Sequence, residues 1–171
     1  MASRITSREM AEKPSPADGA RILLVNKDSR DLVYYGALLK KVGCRVQTSP
    51  SFTEGAQCLE RERYDLVVLD QGSSGFEGQK VLMSAMEVDP EVPVLVLARS
   101  YDGGCYQQAL QSGALDYIEG PLSEGEIIAL LETFLPRRAG SRGKSASPMK
   151  GSDGWIAIQT WAAAQNSGKE N

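Results

Sequence analysis

The 171-residue chain contains no histidine. That absence removes the commonest general base and the commonest transition-metal ligand, and with them any role as a histidine phosphocarrier. Nucleophilic devices of the Ser-His-Asp or Cys-His type fall on the same ground. Cysteine is scarce too: Cys44, Cys58 and Cys105 form no CxxC spacing, and an odd count argues against a disulfide framework. A reducing cytoplasm is the expected location, with the three thiols as buried or half-buried small residues. Long apolar runs are missing as well. The longest, Val92 to Ala98, is far too short to span a bilayer, so no membrane partner is expected. The first twenty residues lack the apolar stretch of a secretion signal, and their three basic and three acidic residues cancel.

What is present belongs to a globular protein, with 42% hydrophobic and 24% charged residues. Its charge is split. Arg21 to Leu135 carries 10 basic and 17 acidic residues, whereas Pro136 to Asn171 carries 6 and 2. An acidic domain is a poor nucleic-acid binder, because affinity there rests on Lys and Arg neutralising phosphates.

From Arg21 onward, short continuous apolar runs alternate with longer segments of helical period, the pattern of parallel strands joined by covering helices. Strands are predicted at Ile22–Val25, Arg45–Thr48, Leu66–Leu69, Val94–Leu97 and Asp116–Ile118. Helices are predicted at Ser29–Val42, Ser51–Arg61, Gly78–Val88, Asp102–Ser112 and Ser123–Leu135. Ser51 with Glu54 and Ser123 with Glu126 have capping-box spacing, and Gly43 and Gly113 stand where a helix ends in a left-handed residue. Five βα repeats give an α/β fold: a doubly wound, five-stranded parallel sheet whose functional groups collect at the carboxyl ends of the strands.

The expected organisation is a disordered leader over 1–20, one domain over 21–135, a Gly/Ser/Pro-rich basic linker over 136–154 and a short Trp-containing tail over 155–171. Ten of the nineteen residues Pro136 to Gly154 are Gly, Ser or Pro, too few apolar groups to order the stretch. In the tail, Trp155 and Trp161 with intervening alanines suit a short helix, marginal on its own at that length. Nucleotide-binding signatures fail on inspection. NKDSRD after the first strand offers no glycine for a dinucleotide fingerprint, and Gly143-Lys144-Ser145 has Arg138 where a P-loop needs its first glycine.

The strand ends read LLVNKD, LVVLD, VLVLAR and DYIEGP. In this order and at these spacings, the chain over its five repeats resembles a two-component response-regulator receiver domain, of flavodoxin-like receiver fold. The resemblance implies a phosphoacceptor at Asp70, an acidic pocket at Asn26, Lys27 and Asp28, and switch positions at Ala98, Tyr117 and Gly120. It also implies Mg²⁺ as the cofactor, with metal positions falling on Asp70, Asp28 and Gly72. In the family, two acidic residues follow the first strand, a hydroxyl residue ends the fourth and a lysine precedes the proline after the fifth. Here those places hold Asn26 and Lys27, Ala98, and Gly120 before Pro121. The loop proline is replaced by Ser74. A site with a neutral amide and a cation in the acidic positions has little pull on a divalent ion that dehydrates reluctantly.

Two roles follow. One is an atypical receiver in phosphorelay signalling, with Asp70 at the phosphoacceptor position and an output made by protein contacts rather than by enzyme activity. The other is a pseudo-receiver that binds partners without phosphate. The partners implied are a sensor histidine kinase or phosphotransfer protein, a downstream protein on the face from the fourth to the fifth helix, or a second copy on that same face. Lys27 is expected either to place its ammonium beside Asp70 in the metal's stead or to point into solvent. Asp28 is expected to cap the first helix, and Tyr117 to be either a rotating switch aromatic or an ordinary sheet-edge residue.

Overall fold

Strands that are apolar without a break need cover on both faces, and the computed structural model of the chain, which describes residues 17–73 and 75–135, shows that cover. The elements alternate as β1 (Arg21–Val25), α1 (Ser29–Lys41), β2 (Arg45–Ser49), α2 (Phe52–Arg61), β3 (Leu66–Asp70), α3 (Gln79–Val88), β4 (Val94–Ala98), α4 (Gly103–Gln111), β5 (Asp116–Glu119) and α5 (Glu124–Phe134). All five strands are parallel, in the order β2-β1-β3-β4-β5, so β3 lies at the centre.

Alternation along each strand sorts the core into two halves. Leu23 and Val25, Val67 and Leu69, and Val94 and Val96 face α2, α3 and α4, meeting Leu59, Val81, Leu82 and Ala109. Ile22 and Leu24, Leu66 and Val68, and Leu95 and Leu97 face α1 and α5, meeting Tyr35, Leu39, Ile127 and Leu131. Each fully buried Leu, Ile or Val contributes about 1.5–3 kcal/mol of transfer free energy.

The caps are placed as expected. The Ser51 hydroxyl accepts from the Glu54 amide, and Ser123 with Glu126 forms a complete reciprocal box. Gly43 and Gly113 close α1 and α4 at φ of 95° and 102°. One boundary moves. Residues 17–20, assigned from sequence to the leader, pack onto the domain: Ala17 and Ala20 are buried and the Gly19 amide donates to Gly43 O at 2.9 Å. Two small apolar side chains found cover at the amino edge of the sheet, a contact no local pattern announces. The expectations for residues 1–16, for Ser74, for the 136–154 linker and for the Trp155 and Trp161 tail lie outside the described residues. Among the described residues, no helix is long and apolar enough to cross a membrane.

Candidate functional site

The central strand delivers its last residue to the carboxyl edge of the sheet. Leu66 to Leu69 are buried and Asp70, paired in register with Leu97 of β4, emerges half-buried at the mouth. The loop after it folds back tightly. The Gly78 amide donates to Gln71 O at 3.2 Å, and a side chain at 78 would meet the Asp70 carbonyl at 2.6 Å, so only glycine fits. Gly72, at φ +100°, lies so close to Glu77 that a Cβ there would sit 2.6 Å from the Glu77 Cβ. Desolvation raises the Asp70 carboxyl above its ordinary pKa, and the backbone amides of Gly72 and Lys27 together with the field of Arg99 offset part of that rise.

The residues after β1 converge on the same mouth, each with a partner of its own. Asn26 is buried, and its side-chain oxygen accepts from the Asp28 amide at 2.8 Å. Asp28 caps α1 by accepting from the Arg30 amide at 2.8 Å and is gripped by the Arg99 guanidinium, which also reaches Asp31 at 3.2 Å. That guanidinium and the Arg30 amide hold the Asp28 carboxyl below its usual range. Arg99 follows β4, while Asp28 precedes α1 after β1, so this bridge joins the two strands that flank β3. The Lys27 ammonium does not pair with Asp70. It lies 2.8 Å from Glu77 on the β3–α3 loop and 5.7 Å from the centre of the Phe52 ring. Pairing with a solvent-facing carboxylate spares the desolvation that a partly buried Asp70 would demand. Ser73 also donates to Glu77, at 2.6 Å, and the two donors, Lys27 first, lower the Glu77 pKa to about 2.

At the other strand ends, Ala98 is buried and its carbonyl accepts from the Gly120 amide at 2.8 Å. Gly120 is joined to Pro121 by a cis peptide bond, and a Cβ at 120 would meet the Tyr35 hydroxyl at 2.8 Å. That hydroxyl accepts from the Leu122 amide at 3.2 Å, so Tyr35 of α1 fills the space beside the position where the resemblance expects a lysine. Tyr117 is 3% exposed. Its ring meets Tyr101 and Tyr106 edge to face, with centroids 6.2 and 5.8 Å away. Its hydroxyl donates to the side-chain oxygen of Gln71 and accepts from the Asp102 amide at 3.4 Å. Tyr117 is therefore a buried, doubly hydrogen-bonded residue of the edge strand β5.

A family model described as the response regulator receiver domain matches residues 22–132. The chain belongs to that family. Among curated relatives, the receiver is 31% identical over 127 residues to the transcriptional regulatory protein PrrA of Mycobacterium tuberculosis, covering 74% of this chain and 54% of the relative. It is 28% identical over 130 residues to the transcriptional regulatory protein GlrR of Escherichia coli, covering 76% of this chain and 28% of that protein. The chain thus spans about half or less of the length of these relatives. Among solved structures, the receiver domain protein from Methanospirillum hungatei superposes with a TM-score of 0.64 at 23% identity, covering 69% of this chain and 94% of the other. The receiver domain of sensor histidine kinase PA1611 from Pseudomonas aeruginosa, solved with magnesium in its active-site cleft, gives 0.62 at 24%, covering 68% and 98%. These likenesses establish the flavodoxin-like receiver fold and, with the family match, a place in two-component signalling.

The donor set in this receiver fits Mg²⁺ poorly. Of the three expected positions, Asp70 is available, Asp28 is committed to Arg99 and to its cap, and Gly72 lies in a tight turn. Among the described residues, no group of three or more acidic or cysteine side chains is placed to share a metal ion. Arg99, Glu77, Gln71 and Tyr35 escaped the sequence reading. Only Arg99 left a usable signal, as a cation directly after the strand-four position and opposite an Asp28-x-x-Asp31 pair; the others depend on which side chain fills a space across the fold.

Proposed function

We propose that this receiver signals through protein contacts, with Asp70 at the phosphoacceptor position but with Mg²⁺-assisted phosphoryl transfer to it crippled. One observation carries the reading: Lys27 and Arg99, the cations beside Asp70 at the β3 mouth, are both already paired within the protein. Arg99 neutralises Asp28, and Lys27 neutralises Glu77. Phosphoryl transfer needs a carboxylate nucleophile with cations free to neutralise the incoming oxygens, and neither cation here is free. The missing hydroxyl at Ala98 and the space beside Gly120 taken by Tyr35 remove the remaining contacts such a group would use.

The chain then acts as a signalling module and not as an enzyme. Its partners are a sensor histidine kinase or phosphotransfer protein, a downstream protein on the α4–β5–α5 face, or a second copy there. A precedent for receiver–protein association is the CheX–CheY complex of Borrelia burgdorferi, similar to this chain in fold alone. Three free cysteines suit a reducing cytoplasm. A fully phosphorylation-independent pseudo-receiver is the second reading, favoured by the same ion pairs.

The test is NMR of the protein with millimolar Mg²⁺ and beryllofluoride or a small phosphodonor, beside Asp70→Asn. No Asp70-dependent shift at Asp70 or Tyr117 is expected. Clear, Asp70-dependent shifts would overturn the proposal. A companion variant, Asn26→Asp with Lys27→Asp, places two carboxylates there and is expected to bind Mg²⁺ more tightly than the wild type.

A further inference from the structure

Gln71 directly follows the phosphoacceptor position and is 8% exposed, one of few buried polar residues in the domain. Its backbone is pinned on both sides: its amide donates to Leu97 O at 2.8 Å, and its carbonyl accepts from Gly78 at 3.2 Å. With the main chain fixed, the side chain has little freedom, and its oxygen receives the Tyr117 hydroxyl in the core. The same hydroxyl accepts from the Asp102 amide, and Asp102 caps α4 by accepting from Cys105 at 2.8 Å. An unbroken chain of hydrogen bonds therefore runs from the β3 loop through Tyr117 to the first turn of α4. Ala98, in the same core cluster, offers no hydroxyl to compete for it.

We propose that Gln71 is a positioning residue, an internal latch whose side-chain oxygen holds Tyr117 buried and thereby fixes the start of α4 with no phosphoryl group present. The latch deepens the function proposed above and rests on it in one respect: Tyr117 is set by the protein's own groups and not by events at Asp70. A buried hydroxyl that loses its acceptor pays the desolvation cost in full, so the bond favours the buried rotamer beyond what ring packing supplies.

The experiment separates the hydrogen bond from packing. Protein labelled with 3-fluorotyrosine is studied by ¹⁹F NMR with a soluble paramagnetic agent, the Tyr117 signal being assigned with Tyr117→Phe and the 60%-exposed Tyr101 serving as reference. Gln71→Met keeps the side-chain volume and removes the acceptor, and Gln71→Glu restores an acceptor oxygen. Tyr117 is expected to be shielded in the wild type, broadened by the agent in Gln71→Met and shielded again in Gln71→Glu. Amide exchange at Asp102 is expected to be about tenfold faster in the methionine variant, the size of one lost hydrogen bond. Shielding and exchange unchanged in Gln71→Met overturn the latch, as does equal exposure in the methionine and glutamate variants. Should circular dichroism show the methionine variant unfolded, Gln71→Leu takes its place. Asp70→Asn is expected to leave Tyr117 shielded. Beryllofluoride shifts would sink the functional reading by themselves, whereas the latch is sunk by the Gln71 series or by loss of Tyr117 shielding in Asp70→Asn.

Discussion

Two regions of this receiver, the β3 mouth and the surroundings of Tyr117, are held together by different means. At the β3 mouth the contacts are exposed ion pairs, Lys27 with Glu77, and Arg99 with Asp28 and Asp31. Around Tyr117, an aromatic residue stays packed in the core between Tyr101 and Tyr106, with its hydroxyl satisfied twice. Solvent-exposed pairs contribute little and are screened by salt, so their partners can be exchanged at small cost to the fold. A buried ring cannot be exchanged without leaving a cavity. Substitution at the mouth is thus expected to cost the fold little, and removal of the Tyr117 ring much more.

The largest expected effect tests that contrast directly. Tyr117→Ala removes a buried ring and should destabilise the domain by about 3 kcal/mol, whereas Arg99→Ala, which removes an exposed guanidinium, should cost less than about 1 kcal/mol. Denaturant titration of both variants checks the comparison. Equal losses would mean that the Arg99 bridge is a structural element of the same rank as the aromatic cluster.

A smaller effect, of opposite sign, is expected at Asp70. Its carboxyl is held above the ordinary 3.8 by desolvation. Between 3.8 and the raised value the folded state binds more protons than the unfolded one, so stability falls as pH rises through that window and stays at the lower level above it. Asp70→Asn removes the penalty. The variant should melt above the wild type at pH 7, and the difference should close once the pH drops below the ordinary carboxylate range. Thermal melts at several pH values measure it. A destabilised asparagine variant at pH 7 would show that the Asp70 charge is instead supported by its surroundings.

How far the sequence spoke for each region follows from the range of the forces involved. Strand ends, caps and terminating glycines are local: Val25, Asp70 and Ala98 end their strands within a residue of expectation, and Ser123 with Glu126 forms the anticipated box. Asp28 was also foreseen as a cap, because an N-cap is read from neighbours in sequence. The partner of Lys27 was not. Glu77 lies fifty residues away on a loop whose path is set by Gly72 and Gly78, and choosing between two carboxylates requires knowing which one is desolvated. The Gln71–Tyr117 bond, 46 residues apart, escaped for the same reason.

That distinction makes Lys27→Ala the finest probe of the comparison. In the wild type the Lys27 ammonium is the chief reason the Glu77 carboxyl titrates near 2, with Ser73 second. The contribution of Glu77 is present above its ordinary 4.5 and is lost as pH falls toward 2. Removing the ammonium should return Glu77 most of the way to 4.5, and high salt should move the wild-type value in the same direction. Asp70 should hardly respond, because its link to Lys27 runs through the backbone amide, which alanine keeps. Carboxyl ¹³C titrations of both residues read the two outcomes side by side. A larger shift at Asp70 than at Glu77 would mean that the ammonium serves Asp70 after all. The expected pattern assigns it instead to the β3–α3 loop, where an exposed pair ties down the chain beside Asp70 and leaves that carboxylate without a cation of its own.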